Sequence, residues 1–176
     1  MQRILPGSTL QYDPAIHGSA ETLFSAMFAG GGLMLAQVSH IAGVEPYMIQ
    51  NWVARDFLPP PVSKRYSRRQ LCRILIINML RPILNLEQIC RLLSYVNGHL
   101  NDTSDDLVDD SMLYIALVEL TGDDPPKLKD VLPDYQEPFP GARRRVEQVL
   151  EIMVLAYRAA VLKGQAEEYI GRLDVK

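Results

Sequence analysis

The chain is short of the residues from which catalytic and metal centres are built. Among 176 residues it has two cysteines, three histidines and one tryptophan. Cys72 and Cys90 lie far apart inside apolar helical patterns, which excludes a metal knuckle or a CxxC redox pair and reads as small core residues in a reduced, cytoplasmic protein. His17, His40 and His99 share no ligand-like spacing, and no Ser or Cys occupies a nucleophile motif, so no catalytic residue, metal ligand or cofactor is assigned. The strongest apolar run, Ile152 to Leu162, is too short for a membrane span and contains Arg158. The N-terminal MQRILPGSTL has no apolar stretch leading to a small-residue cleavage site, so no signal peptide is expected. Internal repeats are absent, and no strand pattern extends beyond a few residues around Val62.

What is present suits a globular protein: 48% hydrophobic and 22% charged residues exclude wholesale disorder. The formal net charge of −3 hides a segregation. From Gln50 to Arg91, eight Lys or Arg face two acids; from Asn101 to Glu137, eleven acids face two Lys. One region is suited to a polyanion that the other repels.

The punctuation predicts a mainly α chain. Residues 1 to about 19, with Pro6, Gly7, Pro14 and Gly18, read as an extended arm, followed by a helix from Ala20 to the glycines at 30–32. A short helix from Leu33 to Ala42 stops at Gly43, and Pro46 opens the next. Ser67 with Gln70, and Asn85 with Gln88, form capping boxes for helices reaching about Leu80 and Val96. A helix is expected from Ser104 to Leu120, a proline-rich loop over 122–141, and a long helix from Ala142 to about Arg172.

The helix after Pro46 divides cleanly. At about 100° per residue, Met48, Ile49, Trp52 and Val53 fall within one arc of roughly 140°, while Tyr47, Gln50, Asn51, Ala54 and Arg55 fall outside it. Tyr, Gln, Asn and Arg can bond base edges and phosphates; the plainer reading is an ordinary wet face. Pro59, Pro60 and Pro61 then project Lys64, Arg65 and Tyr66, with Arg68 and Arg69 behind them at a helix N-terminus. Cations there oppose the helix dipole, a cost that an anionic partner relieves.

The series Leu35-Ala36-Gln37-Val38, Gly43-Val44-Glu45-Pro46, Ile49-Gln50-Asn51-Trp52, Phe57-Leu58-Pro59, Arg65-Tyr66-Ser67 and Leu86-Glu87-Gln88-Ile89 resembles the winged helix-turn-helix of MerR-type transcriptional regulators over about Leu33 to Leu93. EPYMIQNWV, KRYSRRQL and SYVNGHLNDTSDD also resemble an uncharacterised bacterial family, a domain of unknown function with a MerR-like DNA-binding region. The resemblance implies double-stranded DNA as partner. It places Tyr47, Gln50 and Asn51 on the groove-facing helix and Arg65 and Tyr66 on the wing; the charge pattern adds Arg55, Lys64, Arg68 and Arg69 as further candidate DNA contacts. Gln50 stands where MerR-type helices commonly carry Arg, the wing is shorter, and an acidic segment precedes the long helix, so promoter twisting is not implied.

Asp105, Asp106, Asp109 and Asp110 form DDxxDD. On one helix the four-residue spacing pairs their carboxylates, as a Mg²⁺ site for diphosphate chemistry requires, but no second acidic motif or phosphate loop accompanies them. Helix capping by Ser104, or docking of the acids on the basic region, are the other readings. The last helix is apolar nearly all round between Ile152 and Leu162, which predicts a homodimer interface. The expectation is a mainly α, DNA-binding transcriptional regulator in three parts: an N-terminal arm and helix (1–32), a winged helix-turn-helix (33–97) and an acidic, dimerising helical region (98–176). A protein-interaction module with a vestigial helix-turn-helix and a Mg²⁺-dependent enzyme are the alternatives.

Overall fold

The computed structural model describes residues 3–173; residues 1–2 of the expected arm and 174–176 of the expected dimerising region lie outside them. The described chain is mainly helical: β1 (Arg3–Ile4), β2 (Gln11–Tyr12), α1 (Pro14–His17), α2 (Ala20–Met27), β3 (Leu33–Met34), α3 (Leu35–Ala42), α4 (Pro46–Ala54), β4 (Arg65–Tyr66), α5 (Arg68–Leu80), α6 (Leu86–Asn97), α7 (Asp110–Leu120) and α8 (Ala142–Leu173), with a 3₁₀ turn at Leu128–Asp130.

The hub is α5. Both capping boxes form as expected: Ser67 Oγ accepts from Gln70 N at 3.2 Å, Gln70 Oε1 accepts from Ser67 N at 2.8 Å, and Asn85 and Gln88 do the same for α6. Every residue of α5 from Gln70 to Leu80 except Asn78 is buried, because α3, α6, α7 and α8 surround it. An apolar helix with no wet face requires such a shell. One continuous core runs from Leu5 through Ile74 and Tyr114 to Ala156.

Two expectations change. The segment before α2 is a hairpin, not an extended arm: β1 and β2 pair antiparallel, with Arg3 opposite Tyr12 and Ile4 opposite Gln11. Its turn lies on α5 so closely that a Cβ on Gly7, at φ 68°, would stand 2.1 Å from Leu75 O. Asn78 fixes the contact, donating to Gly7 O at 2.9 Å and Ala42 O at 2.7 Å. Secondly, α7 begins at Asp110 rather than Ser104, because Asp109 is its N-cap, accepting from Ser111 N at 2.7 Å. Asp105 faces the other way and accepts from His99 N at 3.0 Å. DDxxDD is therefore not carried on one helix.

The last helix is about 48 Å long at 1.5 Å per residue. Its first half supplies Val146, Val149, Leu150, Met153 and Ala156 to the core, whereas every residue from Val161 to Leu173 is exposed. Among the described residues no helix is long and apolar enough to cross a membrane.

Candidate nucleic-acid interface

The site is built from α3, α4 and the hairpin that follows. Gly43 ends α3 in the left-handed region at φ 64°, and Ser39 Oγ donates to Val44 O at 2.5 Å, closing a tight turn before Pro46. Ile49 and Trp52 of α4 are buried, Met48 and Val53 are half-buried, and Tyr47, Gln50, Asn51, Ala54 and Arg55 are exposed. The division read from the 100° periodicity is the one observed.

The proline run is held from behind. Gln70 Nε2 donates to Pro59 O at 3.0 Å and Pro60 O at 2.9 Å, and Arg73 Nε donates to Phe57 O at 3.1 Å. The chain then makes a two-residue turn, with Val62 and Arg65 exchanging both backbone hydrogen bonds at 3.1 and 2.9 Å. Ser63 and Lys64 occupy its centre at φ 50° and 61°. This is the type I′ geometry, taken here by two residues that carry a Cβ. Strand β4 pairs antiparallel with β3, Leu33 opposite Tyr66 and Met34 opposite Arg65, so residues before α3 complete the small sheet.

Helix α4 and the hairpin meet at one hollow of about 440 Å³, lined by Gln50 and Val53 of α4, Lys64 and Tyr66 of the hairpin, and Met34 and Leu35. Gln50 and Lys64 thus share a surface. Arg65 is exposed and donates to Gly32 O at 2.8 Å; Arg55 is exposed and lies over the Phe57 ring at 4.8 Å from its centroid. Tyr47 and Asn51 point to solvent from the same outer face of α4.

Three sequence candidates are differently placed. Tyr66 is 3% exposed: its ring forms the floor of the hollow, and burial raises its pKa. Arg68 makes a two-pronged ion pair with Glu21 of α2, one prong at 2.7 Å, and donates to Ser25. The Arg69 guanidinium lies 2.6 Å from Asp106, 3.4 Å from Asp110 and 3.8 Å from Asp109. The anions that relieve cations at the N-terminus of α5 are thus the protein's own carboxylates.

Behind this surface lies a buried network in which acids of the DDxxDD segment dock on the basic region, one of the readings given to that segment. Arg73 and Asp110 are 4% and 1% exposed and meet at 3.3 Å; Asp110 also accepts from Asn97 Nδ2 at 2.8 Å. Burial pushes the Asp110 carboxyl upward, against the pull of Arg73 and Arg69, and raises Asp106 likewise. The detectable signal was the arginine at 73 inside an otherwise apolar run, since a cation in such a place needs a carboxylate. Cys72 is fully buried beside it, and burial pushes its thiol far up, away from a reactive thiolate. Among the described residues no group of three or more His, Cys, Asp or Glu could hold a metal ion.

The molecule is thus a mainly helical protein in which two short helices and a β-hairpin present one polar, partly basic face. The family model described as "Domain of unknown function (DUF1836)" matches residues 34–116, from β3 into α7, a span that holds the hollow and both ends of the Arg73–Asp110 network. The chain is also similar to "Uncharacterized protein YkrK" of Bacillus subtilis (strain 168), 30% identical over 84 residues, which cover 46% of this chain and 36% of the relative. The match thus spans about a third of that protein's length. No solved structure matches the chain.

Proposed function

We propose that the protein is a sequence-specific DNA-binding transcriptional regulator, with α3 and α4 as a helix-turn-helix and the Val62–Arg65 hairpin as its wing. The observation that carries this reading is that Gln50 and Lys64 line the same hollow: the polar face of α4 and the basic tip of the hairpin form one surface. At about 1.5 Å per residue α4 is short enough to enter a major groove, and Tyr47, Gln50 and Asn51 have the side-chain chemistry to reach base edges there. Lys64, Arg65 and Arg55 are exposed and carry the charge to meet phosphates, although one guanidinium nitrogen of Arg65 already donates to Gly32 O. Arg68 and Arg69, bound to carboxylates, shape the surface from behind.

The reading includes a homodimer through α8. Ile152, Leu155, Ala159, Leu162, Ala166, Tyr169 and Leu173 follow each other at alternating intervals of three and four, the a/d repeat of a coiled coil. Ile152, Leu155, Leu162, Tyr169 and Leu173 are 45–77% exposed. A second copy of the helix covers this stripe, and a two-fold dimer presents two α4 helices to one duplex. The test is selection of bound fragments from a random duplex pool at two salt concentrations. Recovery of a shared motif whose binding weakens with salt supports the reading; a pool that remains random at both overturns it. The exposed stripe on α8 also favours a second reading, a protein-interaction module, which such a random pool would leave standing.

A further inference from the structure

An apolar hollow adjoins the polar outer face of α4 beside Gln50. Val53 follows Gln50 by three residues, about 4.5 Å further along the axis and about 60° round toward the buried arc, and both line the hollow. That advance is slightly more than one base step, about 3.4 Å per nucleotide. Val53, Met34 and Leu35 form apolar walls, the Tyr66 ring is the floor, and Lys64 stands on the wing side. A surface meant only to meet water or phosphate gains nothing from such walls, since apolar area in contact with water is unfavourable. In a major groove there is one apolar group to receive: the methyl on C5 of a pyrimidine.

We propose that this hollow reads a pyrimidine 5-methyl group, that of thymine, at the base step next to the one contacted by the Gln50 amide; the inference rests on the reading of α4 as the groove-facing helix. Gln50 has the paired donor and acceptor that match adenine N6 and N7. Val53 then meets the methyl of the adjacent thymine, and the remaining apolar wall meets neighbouring deoxyribose carbons, while Lys64 holds the phosphate at the rim. Recognition is of an A·T-containing step by one amide and one apolar contact. 5-Methylcytosine offers the same methyl in the same groove, but its partner base is guanine, so the two sources separate by sequence.

The experiment uses the full chain and the duplex it selects. Each thymine is replaced singly by uracil, which removes only the methyl, and each cytosine singly by 5-methylcytosine. Loss of one methyl contact corresponds to about a fourfold loss of affinity. The expected result is such a loss at one thymine beside the position whose preference Gln50→Ala changes, with Val53→Ser, which carries no methyl, binding the thymine and uracil duplexes equally. Cooperative melting and an unchanged helical dichroism of Val53→Ser show that it folds. If no thymine responds to uracil while Gln50→Ala still shifts sequence preference, the methyl reading is wrong and the DNA-binding reading stands. A response only to 5-methylcytosine overturns the thymine assignment. If the wild-type chain selects no duplex, both readings fail together.

Discussion

Arg73 of α5 and Asp110 of α7 meet at 3.3 Å in a region that water hardly reaches. The same guanidinium donates to Phe57 O just past α4, and the same carboxylate accepts from Asn97 at the end of α6. One buried pair therefore ties the exit of α4 to three other helices. Removing one partner leaves the other charged and unsolvated, which costs about 3–5 kcal/mol. Asp110→Ala is expected to lower the unfolding free energy by that amount in urea denaturation. The double variant Arg73→Met, Asp110→Leu should lose much less than the sum of the two single changes; additive losses would show that the residues are not coupled.

Stability should depend on acid in two opposed ways. Arg68 hydrogen-bonds to Glu21 and holds its carboxyl below the ordinary range. Its folded value lies below its unfolded one, so its stabilisation is present above the unfolded value and is lost as pH falls through the folded value. Asp106 and Asp110 are shifted up by burial, so their titration favours the fold below the ordinary Asp value and loses that contribution as pH rises through the folded one. Glu21→Gln should flatten the loss of stability on acidification. Asp106→Asn should gain relative to wild type as pH rises from about 4. Urea midpoints across pH check both signs, and a Glu21→Gln curve parallel to wild type would remove the first.

The wing turn holds two side chains in a region that glycine and asparagine prefer. Ser63 and Lys64, at φ 50° and 61°, carry a strain of order 1 kcal/mol each or more. Replacing Ser63-Lys64 by Asn-Gly should raise the melting temperature while removing one cation proposed to meet phosphate. Unchanged or lower stability would argue against the type I′ assignment.

Phosphate contacts are counted by salt. Lys64→Ala and Arg65→Ala should each flatten the slope of log affinity against log salt by about 0.9 and weaken binding alike on all sequences. Gln50→Ala should instead change preference between sequences, by about 1–3 kcal/mol at its base. Equal losses on every duplex would refute base reading by Gln50.

The stripe on α8 predicts its own disruption. Leu162 is 65% exposed and Leu155 64%, so Leu155→Glu with Leu162→Glu should leave the monomer's fold intact. The expected change is from dimer to monomer in sedimentation equilibrium, with a loss of DNA affinity. A variant of unchanged mass would show that the stripe is not the interface.

The residues themselves set whatever depends on neighbours three or four positions apart. Capping by Ser67 and Gln70 or by Asn85 and Gln88, the stop at Gly43, the start at Pro46 and the two faces of α4 all follow from local hydrogen bonding and periodicity, and all are present. The tertiary structure decided what depends on distant partners. Glu21 meets Arg68 across 47 positions of chain, and Asp110 meets Arg69 and Arg73 across 41 and 37. No spacing rule reveals which carboxylate a basic residue will find. For the same reason Asp105 to Asp109 left the helix that their pattern suggested, Asp105 to hold His99 and Asp109 to cap α7. Local sequence thus settled where α4, α5 and α6 begin and which face of α4 is wet, while long-range charge pairing and burial settled where α7 begins and which cations remain exposed on that face.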